Sequence, residues 1–366
     1  MRLLKDLKKH FRNIGIFRAY SAYELAKQAV LFPLDYHFGC GRASYPLNIA
    51  LFVTLRCNAR CSMCNLKDIL NRTGGKEPTP EEIDKFLSGF KGVKPSIILF
   101  GGEPFVREDI LEIIRVVKKR GFSCGVFTNG IALNEKIAKG VIDLKMDFIV
   151  FSLQGKGAKH DGIVGVEGAY RRLLRNMELF TGHRMATKVI IHTMITEENL
   201  DELADIARLG KEKGVYLVRF GHPTFFTPSD VEKNAEVCRR IFPEGGMGQM
   251  SFNYNPEGKS EKYYNAVKKI KEKFTSGVAF TPDLDLNEVK NWYSPNFETK
   301  RKCFFLWRGL FIYPNGDVYP CESLKYPIGN IYEEPFNTIW NNEKYVKLRK
   351  VIKQGLLPAC ARCCKL

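Results

Sequence analysis

From residue 47 onward the chain alternates short apolar runs with longer segments in which apolar residues recur at helical spacing. Six such runs cover residues 48–55, 96–100, 122–127, 147–153, 187–193 and 215–220. Strands that alternate with helices are typical of repeated βα units in a parallel sheet. Six units predict an α/β fold built as a partial (β/α)6 barrel, in which the reactive groups lie at the carboxyl ends of the strands.

A helix start signal lies between the first two runs. Thr79 offers a capping hydroxyl, Pro80 suits the first helical position, and Glu82 places a carboxylate three residues after the cap. This combination is a capping box, so we expect a helix that begins at Pro80.

The N-terminal 46 residues follow a different pattern. Leu3, Leu7, Phe11 and Ile14 recur at helical spacing among many lysines and arginines, which predicts a basic amphipathic helical extension. Such a helix could lie in an anionic membrane interface, or it could pack its apolar stripe against the protein body. Residues 32–36 predict an irregular, mostly apolar link to the barrel.

The remaining chain divides by composition. Residues 47–222 form the predicted barrel, and residues 223–300 are a less periodic bridging region. Residues 301–366 contain clustered cysteines and predict a small C-terminal domain. A domain of that size needs a bound metal for stability more often than a large one does.

Composition limits the compartment and the chemistry. The chain has no apolar run near the roughly 20 residues that span a bilayer, and its basic N-terminus lacks the features of a secretory signal. We therefore expect a cytoplasmic protein, with peripheral contact at the inner face of the membrane if the N-terminal helix binds lipid. Eleven cysteines in a reducing compartment favour metal binding over disulfides. The net charge of +17 would suit binding to an anionic partner, or it could serve solubility alone. The charge does not decide between these two roles.

Three cysteines follow the first predicted strand directly. Cys57, Cys61 and Cys64 would converge on one loop at the reactive end of the barrel and leave one ligand position open. A structural zinc site closes its shell with four protein ligands. An iron–sulfur cluster tolerates the open position, so the spacing favours a cluster over zinc or plain core cysteines.

Three further motifs occur at successive strand ends. They are Gly101-Gly102-Glu103-Pro104 after the second strand, Thr128-Asn129-Gly130 after the third, and Ser152-Leu153-Gln154-Gly155 after the fourth. Together with the C-x3-C-x2-C spacing, this series resembles the radical S-adenosylmethionine (SAM) superfamily.

The resemblance implies roles for these residues. A 4Fe-4S cluster on the three cysteines would bind SAM and cleave it reductively to methionine and a 5'-deoxyadenosyl radical, which abstracts hydrogen from an unactivated C–H bond. The glycine-rich motif, Gly101 to Pro104, would contact the methionine amine, and Asn129 and Ser152 would complete the SAM site. Met63 replaces an aromatic residue common in the family and would face the adenine. Val164 replaces a common arginine, whose part Arg219 on the sixth strand could take.

A second set of cysteines begins at Cys303. Cys303, Cys321 and the pair Cys360 and Cys363 would also satisfy a zinc ribbon. The pattern resembles the SPASM or twitch auxiliary-cluster domain, and residues 314–317 predict a hairpin turn within it. The resemblance implies one auxiliary 4Fe-4S cluster on these four cysteines, with Cys364 as a spare or competing ligand. Such a cluster would transfer electrons, or bind substrate if one cysteine is not a ligand.

The substrate is less constrained by the sequence. His192 and His222, near the ends of the last two strands, could line the cavity or be structural.

The basic N-terminus favours a membrane lipid or another membrane-associated substrate, and the alternative is peptide or protein maturation or crosslinking. A nonenzymatic alternative is a zinc or iron–sulfur protein that binds nucleic acid or transfers electrons. Binding to nucleic acid is not expected, because the strand-end motifs are not those of a nucleic-acid-binding protein. The resemblance also implies a flavodoxin- or ferredoxin-type electron donor.

Overall fold

The computed structural model describes residues 22–72, 75–92, 94–181, 187–243, 248–249, 254–295 and 297–366. The predicted amphipathic helix of the first residues lies outside these ranges. Among the described residues, none of the helices combines the length and apolar character that crossing a bilayer requires.

Helix α1 (Ala22–Phe38) corrects one expectation, because residues 32–36 are helical rather than an irregular link, even with Pro33 inside the helix. Phe32 and Tyr36 lie one turn apart and are buried. Their rings pack edge-on against Phe304 with centroids 5.2 and 5.0 Å away. This aromatic packing offsets the backbone hydrogen bond that proline removes.

The six predicted strands are all present. They are β1 (Asn48–Thr54), β2 (Ser96–Gly101), β3 (Cys124–Thr128), β4 (Phe148–Ser152), β5 (Lys188–Met194) and β6 (Leu217–Gly221). Each pairs in parallel with the next. The fold is therefore mixed α/β with a mostly parallel sheet, as the apolar runs predict.

The sheet extends beyond these six strands on both sides. Further strands are β7 (Gly248–Gln249), β8 (Val278–Thr281), β9 (Gly309–Ile312), β10 (Asp317–Tyr319), β11 (Leu324–Lys325) and β12 (Gly329–Asn330). The order of the ten-stranded sheet is β12-β10-β9-β1-β2-β3-β4-β5-β6-β8, while β7 and β11 form a separate antiparallel pair. Strands β8 and β9 run parallel to their neighbours β6 and β1. The bridging region and the C-terminal region thus each add a parallel strand to the predicted six.

The helices follow the βα pattern. They are α2 (Pro80–Ser88), α3 (Ile110–Lys119), α4 (Glu135–Asp143), α5 (Gly157–Val164), α6 (Ala169–Thr181), α7 (Leu203–Glu212), α8 (Pro228–Ile241), α9 (Ser260–Lys273), α10 (Leu286–Trp292), α11 (Phe336–Trp340) and α12 (Glu343–Gln354). The capping box at α2 is confirmed, since the Thr79 hydroxyl accepts from Glu82 N–H and the Glu82 carboxylate accepts from Thr79 N–H.

The two faces of the sheet have different packing. Apolar side chains on one face of the strands join those of the helices in the main core. The other face carries a small separate cluster of Ile98, Phe148, Val150 and Ile190, with Phe100 and Phe127 packed against it. The cavities described below open beside this second cluster.

The predicted hairpin turn is confirmed at residues 314–317. It joins β9 to the antiparallel β10. Gly316 has a φ of +88°, and a Cβ there would lie 2.5 Å from the Asn330 side-chain oxygen, so the turn needs glycine.

Candidate active site

The cysteine loop leaves the end of β1 and is held against the glycine-rich motif at the end of β2. Gly102 N–H donates to Thr54 O at 3.0 Å, and Glu103 N–H donates to Arg56 O at 2.8 Å. A Cβ at Gly102 would lie 2.2 Å from Arg56 O, so only glycine permits this approach. The glycine-rich motif therefore fixes the position of the backbone immediately before Cys57.

The loop has two further supports. The Asn71 side chain accepts from Cys57 N–H at 2.8 Å and donates to Cys57 O at 3.1 Å. The backbone N–H groups of Arg60 and Ser62 donate to the carbonyl groups of Val164 and Ile163 at the end of α5. Sequence reasoning missed Asn71, since nothing in the sequence distinguishes it from other loop asparagines.

A cavity of about 360 Å³ opens at the carboxyl ends of the strands. Its walls bring together nearly all of the residues predicted for the SAM site: Cys57, Cys61, Cys64, Met63, Gly101, Gly102, Glu103, Asn129 and Ser152. Pro104 is buried in the 3-10 turn behind the cavity and does not line it. We call this space the outer cavity.

Glu103 is fully buried and stabilises the site through hydrogen bonds. Its carboxylate accepts from Phe105 N–H at 3.0 Å, from the Thr128 hydroxyl at 2.8 Å and from Asn129 N–H at 2.6 Å. Burial raises the pKa of Glu103 to about 7, although these hydrogen bonds oppose the shift. Glu103 thus joins the ends of β2 and β3 at the wall of the outer cavity.

The first three cysteines line the same cavity and are the type of donor that an iron–sulfur cluster requires. Burial raises the pKa of Cys57 to about 11 and that of Cys61 to about 12, and it also raises the pKa of Cys64. The other cysteines of the set add to the shifts of Cys57 and Cys61, so the three sulfurs are electrostatic neighbours. Three neighbouring thiols in a partly dry cavity need a cation to become thiolates, and iron binding supplies one.

The second set of cysteines meets in the C-terminal region. Cys321, Cys360 and Cys363 are buried, and Cys303 is half-buried. Burial raises the pKa of Cys321 to about 12, and the nearby Cys303 contributes to this shift. Burial raises the pKa of Cys360, and a hydrogen bond with Cys364 together with burial raises that of Cys363, while Cys303 and Cys321 add to both shifts. The four thiols therefore influence one another electrostatically, and they are the type of donor that an iron–sulfur cluster requires.

Cys364 follows Cys363 directly, and a hydrogen bond between the two thiols lowers the pKa of Cys364. Its backbone N–H donates to the Thr224 hydroxyl at 3.1 Å, and the residue lines a second cavity of about 260 Å³, which we call the inner cavity. His192 and His222 line the same cavity, as the sequence suggested they could, and Arg219 also lines it. The inner and outer cavities share six lining residues: Asn65, Phe100, Phe127, His192, Met194 and Glu322.

Comparison with known proteins agrees with this geometry. The sequence model of the radical SAM superfamily matches residues 51–210, and that of the SPASM iron–sulfur cluster-binding domain matches residues 303–364. The AdoMet-dependent heme synthase of Methanosarcina barkeri is 28% identical over 317 residues, covering 83% of this chain and 85% of the relative. The probable GTP 3',8-cyclase of Thermococcus kodakarensis is 31% identical over 254 residues, covering 68% and 72%.

A solved structure has the same fold. Streptococcus suis SuiB bound to the precursor peptide SuiA superposes with a TM-score of 0.62 at 15% identity, covering 90% of this chain and 72% of SuiB. The chain belongs to the radical SAM superfamily, with a C-terminal SPASM domain, and its cofactors are SAM and two 4Fe-4S clusters.

Proposed function

We propose that this enzyme abstracts a hydrogen atom from a C–H bond of a substrate held in the inner cavity, with the radical generated in the outer cavity. The observation that carries the proposal is the shared wall of the two cavities. When bound on Cys57, Cys61 and Cys64, the reduced cluster and SAM supply a 5'-deoxyadenosyl radical. A substrate in the adjoining space would present its C–H bond to that radical.

The shared wall suits radical chemistry. The rings of Phe100 and Phe127 stack with centroids 4.3 Å apart, and Met194 lies on the same wall. These three side chains are apolar, and the polar Asn65, His192 and Glu322 line both cavities beside them. Ser152, His192 and Arg219 are register partners on β4, β5 and β6, so one row of side chains leads from the SAM site to the inner cavity.

We place the auxiliary cluster on Cys303, Cys321, Cys360 and Cys363, next to the substrate. Cys364 follows Cys363 directly and lines the inner cavity, which supports this location. From there the cluster could accept the electron that a substrate radical gives up when it is oxidised to a closed-shell product. A flavodoxin- or ferredoxin-type donor would supply the electron for SAM cleavage.

The relatives bear on the kind of substrate. None of the relatives described above is named for a lipid reaction, and the helix that motivated the lipid hypothesis lies outside the described residues. We therefore favour an oxidative reaction on a small organic molecule, of the kind that the name heme synthase indicates for the Methanosarcina barkeri relative. Peptide maturation is the second candidate, favoured by the likeness to SuiB with its precursor peptide.

The test is anaerobic detection of 5'-deoxyadenosine by mass spectrometry after reduction with dithionite, together with iron analysis. We expect about eight irons and 5'-deoxyadenosine from the wild type. The Cys57→Ala, Cys61→Ala, Cys64→Ala triple variant should hold about four irons and form none. A wild type that retains both clusters but leaves SAM intact would overturn the proposed function.

Iron analysis also tests the ligand assignment of the second set. Cys363→Ala should fall to about four irons, whereas the neighbouring Cys364→Ala should retain about eight. The opposite result would make Cys364 the ligand and contradict the assignment.

A further inference from the structure

Polar side chains on two adjacent strands lie against one part of the inner cavity. Arg219 is on β6, His222 directly follows that strand, and Thr281 ends β8. Gly221 is the register partner of Thr281, and His222 N–H donates to Thr281 O at 2.8 Å. All three polar residues line the cavity.

His222 presents an unpaired nitrogen. The residue is only 2% exposed, and its Nδ1 lies 2.6 Å from the Tyr293 hydroxyl. Burial lowers the pKa of His222 to about 3, so the ring is neutral. When the tyrosine hydroxyl donates to Nδ1, the ring hydrogen is on Nε2, and Nε2 can donate to a bound group. Neither His222 Nε2 nor the buried Thr281 hydroxyl has a hydrogen-bond partner among the described residues.

Arg219 adds a charge to the same place. It is 8% exposed, and its Nε donates to His192 Nδ1 at 3.1 Å. The guanidinium carbon lies 5.2 Å from the centroid of the Phe127 ring. Within the described part of the chain, Arg219 forms no ion pair with a carboxylate at 4.0 Å or less. Burial lowers the pKa of Arg219 to about 10, and the nearby Cys364 and Glu322 offset its desolvation cost only in part.

Cations outnumber carboxylates around the cavity. Arg308 and Lys365 line it together with Arg219, and Glu322 is the carboxylate among its described lining residues. Lys365 Nζ lies 3.7 Å from Glu322 Oε2, so Glu322 is already associated with one cation. The remaining wall is largely apolar and includes the rings of Phe305 and Phe311.

We infer that the inner cavity binds a carboxylate group of the substrate through Arg219, His222 and Thr281. A planar guanidinium pairs with both oxygens of a carboxylate, and the imidazole N–H and the hydroxyl can each donate a further hydrogen bond. The apolar wall would then contact the carbon skeleton of the substrate. This inference rests on the proposed function, because it assigns the substrate to the cavity beside the SAM site.

The experiment measures binding without turnover. 3-Phenylpropionate and its neutral amide, 3-phenylpropionamide, are the probes, since they have the same size and an apolar body. They are titrated by NMR saturation transfer into the anaerobic, cluster-loaded protein with SAM and no reductant. We expect the carboxylate to bind at least about tenfold more tightly than the amide, because a charge-assisted hydrogen bond is stronger than a neutral one.

The variants test the assigned residues. Arg219→Gln should remove the preference for the carboxylate, and Thr281→Val should weaken carboxylate binding by a few-fold. Arg239→Gln removes an exposed arginine from α8 and should leave the preference unchanged. Iron content and thermal midpoint show whether each variant is folded, and Thr281→Val provides the test if Arg219→Gln does not fold.

Three results would overturn the inference: no saturable binding of the carboxylate, equal binding of both probes to the wild type, or a preference that survives in folded Arg219→Gln. Where Thr281→Val is the only folded variant, unchanged carboxylate binding would also overturn it. Formation of 5'-deoxyadenosine is measured separately. A protein that cleaves SAM but lacks the preference refutes only this inference, and one that has the preference but leaves SAM intact refutes the proposed function.

Discussion

At the residue scale, Asn71 holds the first cysteine in position with two hydrogen bonds to the Cys57 backbone. Asn71 has a φ of +55°, which asparagine adopts more readily than alanine does. We expect Asn71→Ala to lower the free energy of unfolding by about 1–3 kcal/mol and to reduce iron occupancy of the first cluster. Chemical denaturation and iron analysis measure the two effects.

Asn71→Gly is the matched control, since glycine accepts the backbone conformation but lacks the amide. If the hydrogen bonds of the amide hold Cys57 in position, Asn71→Gly should also lose iron. It should be more stable than Asn71→Ala but less stable than the wild type. Full iron occupancy in both variants would show that the hydrogen bonds to Cys57 are dispensable.

His160 on α5 makes stability depend on pH. Its Nδ1 accepts from Gln154 N–H at 3.0 Å, and burial lowers its pKa from 6.5 to about 4. The unfolded chain therefore takes up this proton first as the pH falls. The contribution of neutral His160 is fully present above pH 6.5 and is lost as the pH falls towards 4.

When the pH is lowered from about 7.5 to about 6.0, we expect proton uptake by His160 in the unfolded chain to lower the free energy of unfolding of the wild type by about 0.8 kcal/mol. His160→Asn keeps an acceptor for Gln154 N–H but does not titrate, so its loss over this interval should be smaller by that amount. Urea denaturation of both proteins at the two pH values measures the difference. Parallel pH profiles would contradict the assignment.

The residues that carry the chemistry were largely predictable. Cys57, Cys61 and Cys64 are close in sequence, so their spacing alone indicates a shared site. Arg219 and Thr281 are distant in sequence, and only the pairing of β6 with β8 brings them to one cavity. Their shared position was therefore not visible in the sequence.

At the element scale, the C-terminal segment depends on Arg362, which lies between Cys360 and Cys363 and is 1% exposed. Its Nη1 donates to the Asp230 carboxylate of α8 at 2.6 Å, and its Nε donates to Trp292 O of α10 at 3.0 Å. The guanidinium thus fixes the segment against two helices of the bridging region.

We expect Arg362→Lys to lower the free energy of unfolding by about 2–4 kcal/mol, because lysine keeps the charge but cannot reach all the acceptors. Iron content should fall towards half, since the auxiliary cluster loses its fixed ligands. Arg208→Lys, at an exposed arginine of α7, should change stability by less than about 0.5 kcal/mol. Full stability and full iron in Arg362→Lys would contradict this role.

Local signals located most elements. The capping box identifies the start of α2, and the apolar runs identify β1 to β6, because these signals act over a few residues. Helix α1 is the exception, since Pro33 suggests an interruption. Phe32 and Tyr36 pack against Phe304, which is distant in sequence, and this packing favours a helix at these residues in spite of Pro33.

At the scale of the whole molecule, the C-terminal region extends the parallel sheet. Strand β9 pairs in parallel with β1 over four register positions, from Asn48 with Gly309 to Leu51 with Ile312. The rings of Phe304 and Trp307 also cover Tyr36 of α1. Removal of this region would leave β1 as an open edge and would expose apolar side chains.

We therefore expect a chain truncated after residue 300 to aggregate, as measured by size-exclusion chromatography with light scattering. The control is full-length Cys363→Ala, which should lose the auxiliary cluster but keep β9 and remain monodisperse. A truncated chain that is monodisperse and still binds about four irons would show that the predicted division at residue 301 marks an independent domain.

The sequence by itself determined the family, the spacing of the first three cysteines and the six βα units, because each depends on residues close together in the chain. Only the tertiary structure decided that β8 and β9 extend the sheet, that Cys364 lines the inner cavity, and that Arg219, His222 and Thr281 face one space. These features depend on strand pairing and burial between distant segments. Such contacts arise from packing of the whole chain, and no local pattern encodes them.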